Sequence, residues 1–177
     1  MTAADADILA LLGAGRHPEA FQLIVNRYQA KAIRLAYSIV GDYAEDAAQD
    51  AFLRIWRALP LYRGDSSLST WIYTIVRNTA LSVRRRIPEG VVLRSLAEPA
   101  VLASAESRHH NGPPESATPD VLLKIQQLPE PQRQTVILYY LEGKSYLETA
   151  NLLNLPMGTV KTYLHRARKE LAISILE

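Results

Sequence analysis

At 177 residues the chain can hold one ordinary domain or two small ones, and its hydrophobic content of 48% is enough for packed cores. Net charge is only +2 and cysteine is absent, which excludes a globally basic nucleic-acid coat, disulfides, thiolate zinc sites and a cysteine nucleophile. The N-terminus MTAADADILA is acidic where a secretory leader is basic, and no apolar run approaches the roughly 20 residues that span a bilayer; the expected compartment is the reducing cytoplasm.

A short helix near Asp5–Leu12 is predicted first. From Pro18 to Val40, Phe21, Ile24, Val25, Tyr28, Ala32, Leu35 and Ile39 form a helical stripe, which Gly41 ends. Asp42, with Glu45 three residues on, predicts the cap of a second helix whose buried face is Ala48, Phe52, Ile55 and Leu59. Pro60 stops it, and LYRGDSSLS (61–69) reads as a loop. A third helix is expected from about Thr70 to Arg86, with Trp71, Ile72, Ile75, Val76, Thr79 and Val83 available for packing. Its terminal Arg84-Arg85-Arg86 complements the helix dipole.

Residues 89–119 break the pattern with Pro99, Pro113, Pro114 and Pro119, and read as a flexible linker between two modules. Charge follows this division. Residues 1–88 carry eleven Lys/Arg against eight Asp/Glu, residues 89–120 two against five, and residues 121–177 seven against five. Two mildly basic ends flanking an acidic middle imply two nucleic-acid-facing modules and a spacer.

After the linker, Asp120 caps a predicted helix through Leu128. Another is expected from about Pro131 to Glu142, with Val136, Ile137, Tyr140 and Leu141 inward and Gly143 closing it. The run Ser145–Lys169 is the most informative stretch. Ser145 and Glu148 form a capping box, Asn154 suits a left-handed turn, and Pro156 pre-sets the next helix. In that last helix Val160, Leu164, Ala167 and Leu171 make one buried stripe, while Lys161, Thr162, His165, Arg166, Arg168 and Lys169 cover the other faces. A helix held on one side and cationic on the others suits the DNA major groove, so these boundaries predict a helix-turn-helix rather than a plain basic hairpin.

Chemistry-bearing constellations are few. The four histidines sit in no metal-ligand spacing, no glycine-rich phosphate loop occurs, and no catalytic set is apparent; no metal or cofactor is expected. The carboxylates Asp42, Glu45, Asp46 and Asp50 serve either a helix dipole or a docking face. Between Tyr62 and Arg86, aromatic residues (Tyr62, Trp71, Tyr73) interleave with Arg63, Arg77 and Arg84–Arg86 and with the hydrogen-bonders Asp65, Ser66, Ser67, Thr74 and Asn78. That mixture suits single-stranded or locally melted nucleic acid. Trp71 falls on the apolar stripe and is read as core.

Four stretches in order, AEDAAQDAFLRIWRAL (44–59), STWIYTIVRNTALSVRRR (69–86), LPEPQRQTVILYYLEG (128–143) and KSYLETANLLNLPMGTVKTYLHRARKEL (144–171), resemble those of a bacterial sigma factor of the extracytoplasmic-function (ECF) group. The resemblance implies an all-α chain of two small helical domains, 1–88 and 120–177, joined by the linker 89–119. It implies that the first domain docks on the polymerase clamp helices through Asp46, Gln49, Asp50, Arg54 and Trp56. Tyr62, Arg63, Asp65, Ser66, Ser67, Arg77 and Asn78 would hold the melted −10 element. Tyr146, Thr159, Lys161, Thr162, His165, Arg166 and Lys169 would read the −35 duplex. Implied partners are core RNA polymerase, promoter DNA and an anti-sigma factor, often membrane-bound; no enzymatic activity is implied. Asn154 stands where the family often has Gly, Tyr163 where a basic residue is frequent, and Thr149 where a larger aliphatic is usual. The alternatives are a helix-turn-helix regulator that binds duplex DNA without polymerase, and a DNA recombinase using Tyr62 or Ser66–Ser67 as nucleophile near Arg63 and Arg77.

Overall fold

The structure, a computed structural model, describes residues 5–88 and 124–175. Among them every regular element is helical: α1 (Ala6–Gly13), α2 (His17–Val40), α3 (Ala44–Ala58), α4 (Leu68–Arg84), α5 (Glu130–Val136), a π-helical turn (Ile137–Leu141), α6 (Tyr146–Leu153) and α7 (Met157–Ile175). The expected linker and the Asp120 cap lie outside the described residues.

α2, α3 and α4 pack mutually, and α1 lies against α2. Their stripes meet in one core in which Ile24, Leu35, Ile39, Ile55, Ile72 and Val76 are fully buried. Each such side chain contributes about 1.5–3 kcal/mol of transfer free energy. α2 ends because Gly41 takes φ 59, ψ −130, a conformation side-chain-bearing residues avoid. The chain then makes a 3-10 turn, Gly41–Tyr43, before α3 begins. The expected cap position is therefore corrected by one residue: Tyr43, rather than Asp42, occupies the N-cap of α3, and the Tyr43 side chain makes no capping hydrogen bond. Ser67 does cap α4, accepting a hydrogen bond from the Thr70 amide at 3.2 Å. α1 is held down by charge. The Tyr28 hydroxyl donates to the buried Asp5 carboxylate at 2.8 Å, and Arg27 forks onto Asp7 at 2.7 and 2.9 Å.

In the C-terminal half the local signals hold. Ser145 and Glu148 make both halves of the capping box, Asn154 adopts φ 53, ψ 47, and Val160, Leu164 and Ala167 are fully buried. Thr149 is also fully buried, and its hydroxyl has no hydrogen-bond partner. A hydroxyl there keeps a polar atom where a larger aliphatic would add contact. The segment after α5 departs from expectation. A wide turn with the Glu142 amide donating to the Ile137 carbonyl at 2.9 Å changes the helical phase. Tyr140, expected inward, is 44% exposed, and Leu138 is buried instead.

Leu138 does not serve its own module's core. With Leu152 and Leu153 it joins the core of α1–α4, while Val136, Ile137, Ala150, Val160 and Leu164 form a second cluster. The two halves are thus packed together.

Candidate nucleic-acid and polymerase interfaces

Three surfaces carry the residues singled out from sequence. The first is the outer face of α3. Asp46, Gln49, Asp50 and Arg54 are exposed there, opposite the buried Ala47, Ala48, Ala51 and Ile55. Trp56 is 40% exposed, its ring resting 5.1 Å from that of Phe21. Leu53, missed in the sequence reading, is 55% exposed in their midst. Its signal was available: it lies three and four residues beyond Asp50 and Gln49, in phase with the polar face and off the buried stripe. Carboxylates around a bare leucine and tryptophan make a surface suited to protein contact.

The second surface is the loop and helix from Tyr62 to Asn78. Arg63, Asp65 and Ser66 are exposed on the loop, where Gly64 takes φ 78. The Tyr62 ring leans on Trp71 at 5.2 Å, and its hydroxyl donates to the Ser66 carbonyl at 2.7 Å, which fixes the loop's curvature. Trp71 is half-buried beneath Tyr62 rather than sunk in the core. Desolvation raises the Tyr62 phenol above its ordinary value, so it stays a neutral donor. Ser67 is engaged as the α4 cap, Asn78 is exposed, and Arg77 is half-buried, donating through Nε to Gln134 Oε1 at 3.3 Å. Burial lowers the Arg77 guanidinium below its ordinary value.

The third surface is α7. Lys161, Thr162, His165, Arg166 and Lys169 are all exposed on it, and Thr159 is half-buried near its start. The Thr162 hydroxyl donates back to the Gly158 carbonyl at 2.9 Å. Tyr146 begins α6 with its ring 4.7 Å from Tyr139, and the Lys161 ammonium stands 5.8 Å over that ring. The stack positions a cation at the mouth of the motif.

A belt of polar side chains between the halves has no counterpart in the sequence pattern. Arg133 is 5% exposed, its Nε donating to the Ser38 carbonyl at 2.9 Å and its Nη1 to the carbonyls of Gln126 and Leu128 at 2.7 and 3.3 Å. Arg84 reaches the Ile39 carbonyl at 2.9 Å and Glu130 at 3.0 Å, so this member of the triple Arg is a structural tie. Arg34 and Tyr73 both donate to Glu142, and Lys144 donates to the Ser69 hydroxyl at 2.5 Å above the Tyr73 ring. Burial raises the Tyr73 phenol well above its ordinary value and lowers the Lys144 ammonium. Among the described residues no His/Asp/Glu group could hold a metal ion, and no helix is long and apolar enough to cross a membrane.

An α-helical pair of modules, one a helix-turn-helix with an exposed cationic face, defines a DNA-reading protein. Residues 24–87 match the family model for sigma-70 region 2, and residues 120–171 that for sigma-70 region 4. The chain is 38% identical to the RNA polymerase sigma-H factor of Pseudomonas aeruginosa over 160 residues, covering 85% of this chain and 83% of that one. It is 34% identical to the ECF sigma-E factor of Escherichia coli (85% and 84% covered) and 32% identical to SigW of Bacillus subtilis (86% and 87%). Its fold is similar to that of CnrH bound to the cytosolic domain of CnrY, with TM-score 0.65, 23% identity and 97% of each chain covered. It is also similar to RpoE bound to the anti-sigma factor NepR from Bartonella quintana, with TM-score 0.58, 26% identity, and 80% and 88% covered. The chain belongs to the ECF sigma factors, non-enzymatic initiation factors that act with RNA polymerase in promoter recognition.

Proposed function

We propose that this chain gives core RNA polymerase its promoter through three separate surfaces. The exposed face of α3, with Asp46, Gln49, Asp50, Arg54 and Trp56, docks on the polymerase, and Leu53 adds apolar contact at its centre. Tyr62, Arg63, Asp65, Ser66, Ser67, Arg77 and Asn78 hold the melted −10 strand, with Tyr62 and Trp71 as the stacking platform. Tyr146, Thr159, Lys161, Thr162, His165, Arg166 and Lys169 read the −35 duplex. Residues 1–88 and 120–177 act as the two reading modules and 89–119 as the tether, which raises the effective concentration of the second contact once the first is made.

The observation that carries this reading is the division of α7: Val160, Leu164 and Ala167 are fully buried while Lys161, His165, Arg166 and Lys169 face solvent together. A cationic face at the end of a capped helix-turn-helix suits a long anionic partner. The chain works in the cytoplasm and performs no covalent chemistry of its own. An anti-sigma factor, of the kind bound to the RpoE relative, is its expected inhibitor. Run-off transcription with purified core polymerase on a genomic fragment pool tests the proposal. Chain-dependent transcripts from a shared promoter pattern are expected. Duplex binding by the chain alone, without chain-dependent transcripts, would establish the regulator alternative instead.

A further inference from the structure

The second residue of α7 is a glycine with no evident task inside the chain. Gly158 is not among the glycines with positive φ, so no turn demands it. Among the described residues, a Cβ placed on it would meet nothing within 4 Å, so close packing does not demand it either. The start of the helix is fixed without it, because the Pro156 carbonyl accepts from the amides of Thr159 and Val160 at 2.9 and 3.2 Å. Glycine weakens a helix relative to alanine, since its backbone loses more freedom on folding. Where no contact within the chain compensates, the remaining use of a missing Cβ is to let an outside partner approach the backbone.

One turn further on, Thr162 lies on the same side of the helix. Both residues stand across it from Val160 and Leu164, which are fully buried. The Thr162 hydroxyl donates its proton to the Gly158 carbonyl at 2.9 Å, which fixes the side chain and leaves its γ-methyl to meet a partner. Positions four apart on a helix are about 5–6 Å apart at Cβ. The bare Gly158 backbone and the Thr162 methyl therefore bound a shallow notch about one methyl group wide. Lys161 and Arg166, exposed to either side, are the groups suited to phosphate and guanine. The notch itself carries no cation, and its hydroxyl proton is already engaged.

We propose that the Gly158–Thr162 notch reads a thymine: the C5-methyl group of one thymine in the −35 duplex seats over the bare Gly158 backbone and against the Thr162 methyl. That methyl is the distinctive apolar group in the major groove, and a threonine methyl is a suitable partner for it. The first residues of a recognition helix are the ones that reach base edges. Gly158 is thus a specificity-determining position that works by having no side chain. It admits a base edge that a larger residue would hold off, and it adds shape to a helix face otherwise equipped with charge and hydrogen bonds.

The proposal rests on the −35 reading of α7, and the test separates the two. Run-off transcription supplies the −35 duplex; if it yields no chain-dependent transcripts, selection of duplexes by the whole chain alone supplies the sequence. Deoxyuridine, which lacks only the C5-methyl, replaces each thymine of that duplex in turn, and affinity is measured with the holoenzyme or the chain accordingly. For the unsubstituted chain, one position loses about fourfold, the worth of one buried methyl. Gly158→Ala weakens binding to the thymine duplex by at least as much, and deoxyuridine at the same position restores it, because the added Cβ and the base methyl compete for one space. Thr162→Ser, which keeps the hydroxyl, loses the sensitivity to deoxyuridine, whereas Thr162→Val, which keeps the methyl, retains it. Gly158→Ala melts no lower than the parent, so its weaker binding is no folding defect. Indifference of the unsubstituted chain to every deoxyuridine overturns the notch. So does a Gly158→Ala loss that is equal on both duplexes, which marks obstruction of the phosphate backbone instead. Absence of chain-dependent transcripts overturns the sigma reading, while duplexes selected by the chain alone still decide the notch; absence of both transcripts and duplex binding overturns both.

Discussion

Arg133→Met tests how far one buried cation organises the C-terminal half. The methionine has nearly the same volume and flexibility, so packing is kept while three hydrogen bonds, to the carbonyls of Ser38, Gln126 and Leu128, are removed. A bond from a charged donor is worth about 1.5–3 kcal/mol, so losing three removes roughly 4.5–9 kcal/mol. Burying the guanidinium itself costs several kcal/mol, a penalty the methionine does not incur. The expected net loss is about 3 kcal/mol, a large share of a total stability of about 5–15 kcal/mol. With a urea slope of about 2 kcal/mol/M the unfolding midpoint falls by about 1.5 M. Arg133→Lys should recover only a minority of this, because one ammonium cannot span three carbonyls on two segments. A midpoint within about 0.3 M of the parent for Arg133→Met would refute the reasoning, since it would mean that the three carbonyls find water at no cost.

Other outcomes follow from single side chains. Arg166→Ala weakens promoter binding by the holoenzyme by about 1–3 kcal/mol if it reaches a base edge, and relaxes −35 specificity at that position; footprinting on variant promoters measures it. Asp7 titrates at about 2 instead of 3.8 because Arg27 hydrogen-bonds its carboxylate. Its folded-state pKa is depressed, so its tether of α1 is complete above 3.8 and fades as pH falls through about 2; NMR titration should show Arg27→Gln returning the carboxyl toward 3.8. Asn154→Gly should be neutral or slightly stabilising at φ 53, whereas Asn154→Val should cost about 1–2 kcal/mol in thermal unfolding.

Local signals were legible because their physics is local. Ser145 and Glu148 close their box within one turn, and Asn154 needs only its own backbone to adopt the left-handed conformation. The stripes of α2, α3 and α7 were readable for the same reason. The seam was not, because its partners are far apart: 57 residues separate Arg77 from Gln134, and 108 separate Arg34 from Glu142. Nothing in a helical period tells a buried Arg133 from a solvated one. Tyr140 was misplaced because a period of 3.6 was carried through a stretch where the backbone abandons it. At the candidate sites the side-chain types suggest surfaces, but only the structure shows that Ser67 is spent on a cap and Arg77 on a neighbour.

The π turn at Ile137–Leu141 amounts to a frame shift written into a rod. Through it, Val136 and Ile137 face one core and Leu138 the other, and Glu142 arrives beneath Arg34. Taking out one position there would restore ordinary winding and swing all that follows by about 100°. The count of residues in this short span is therefore a tighter constraint than the identity of some of them: the half-exposed Tyr140 can be exchanged cheaply, but its place in the tally cannot be vacated without turning the carboxylate away from its arginine.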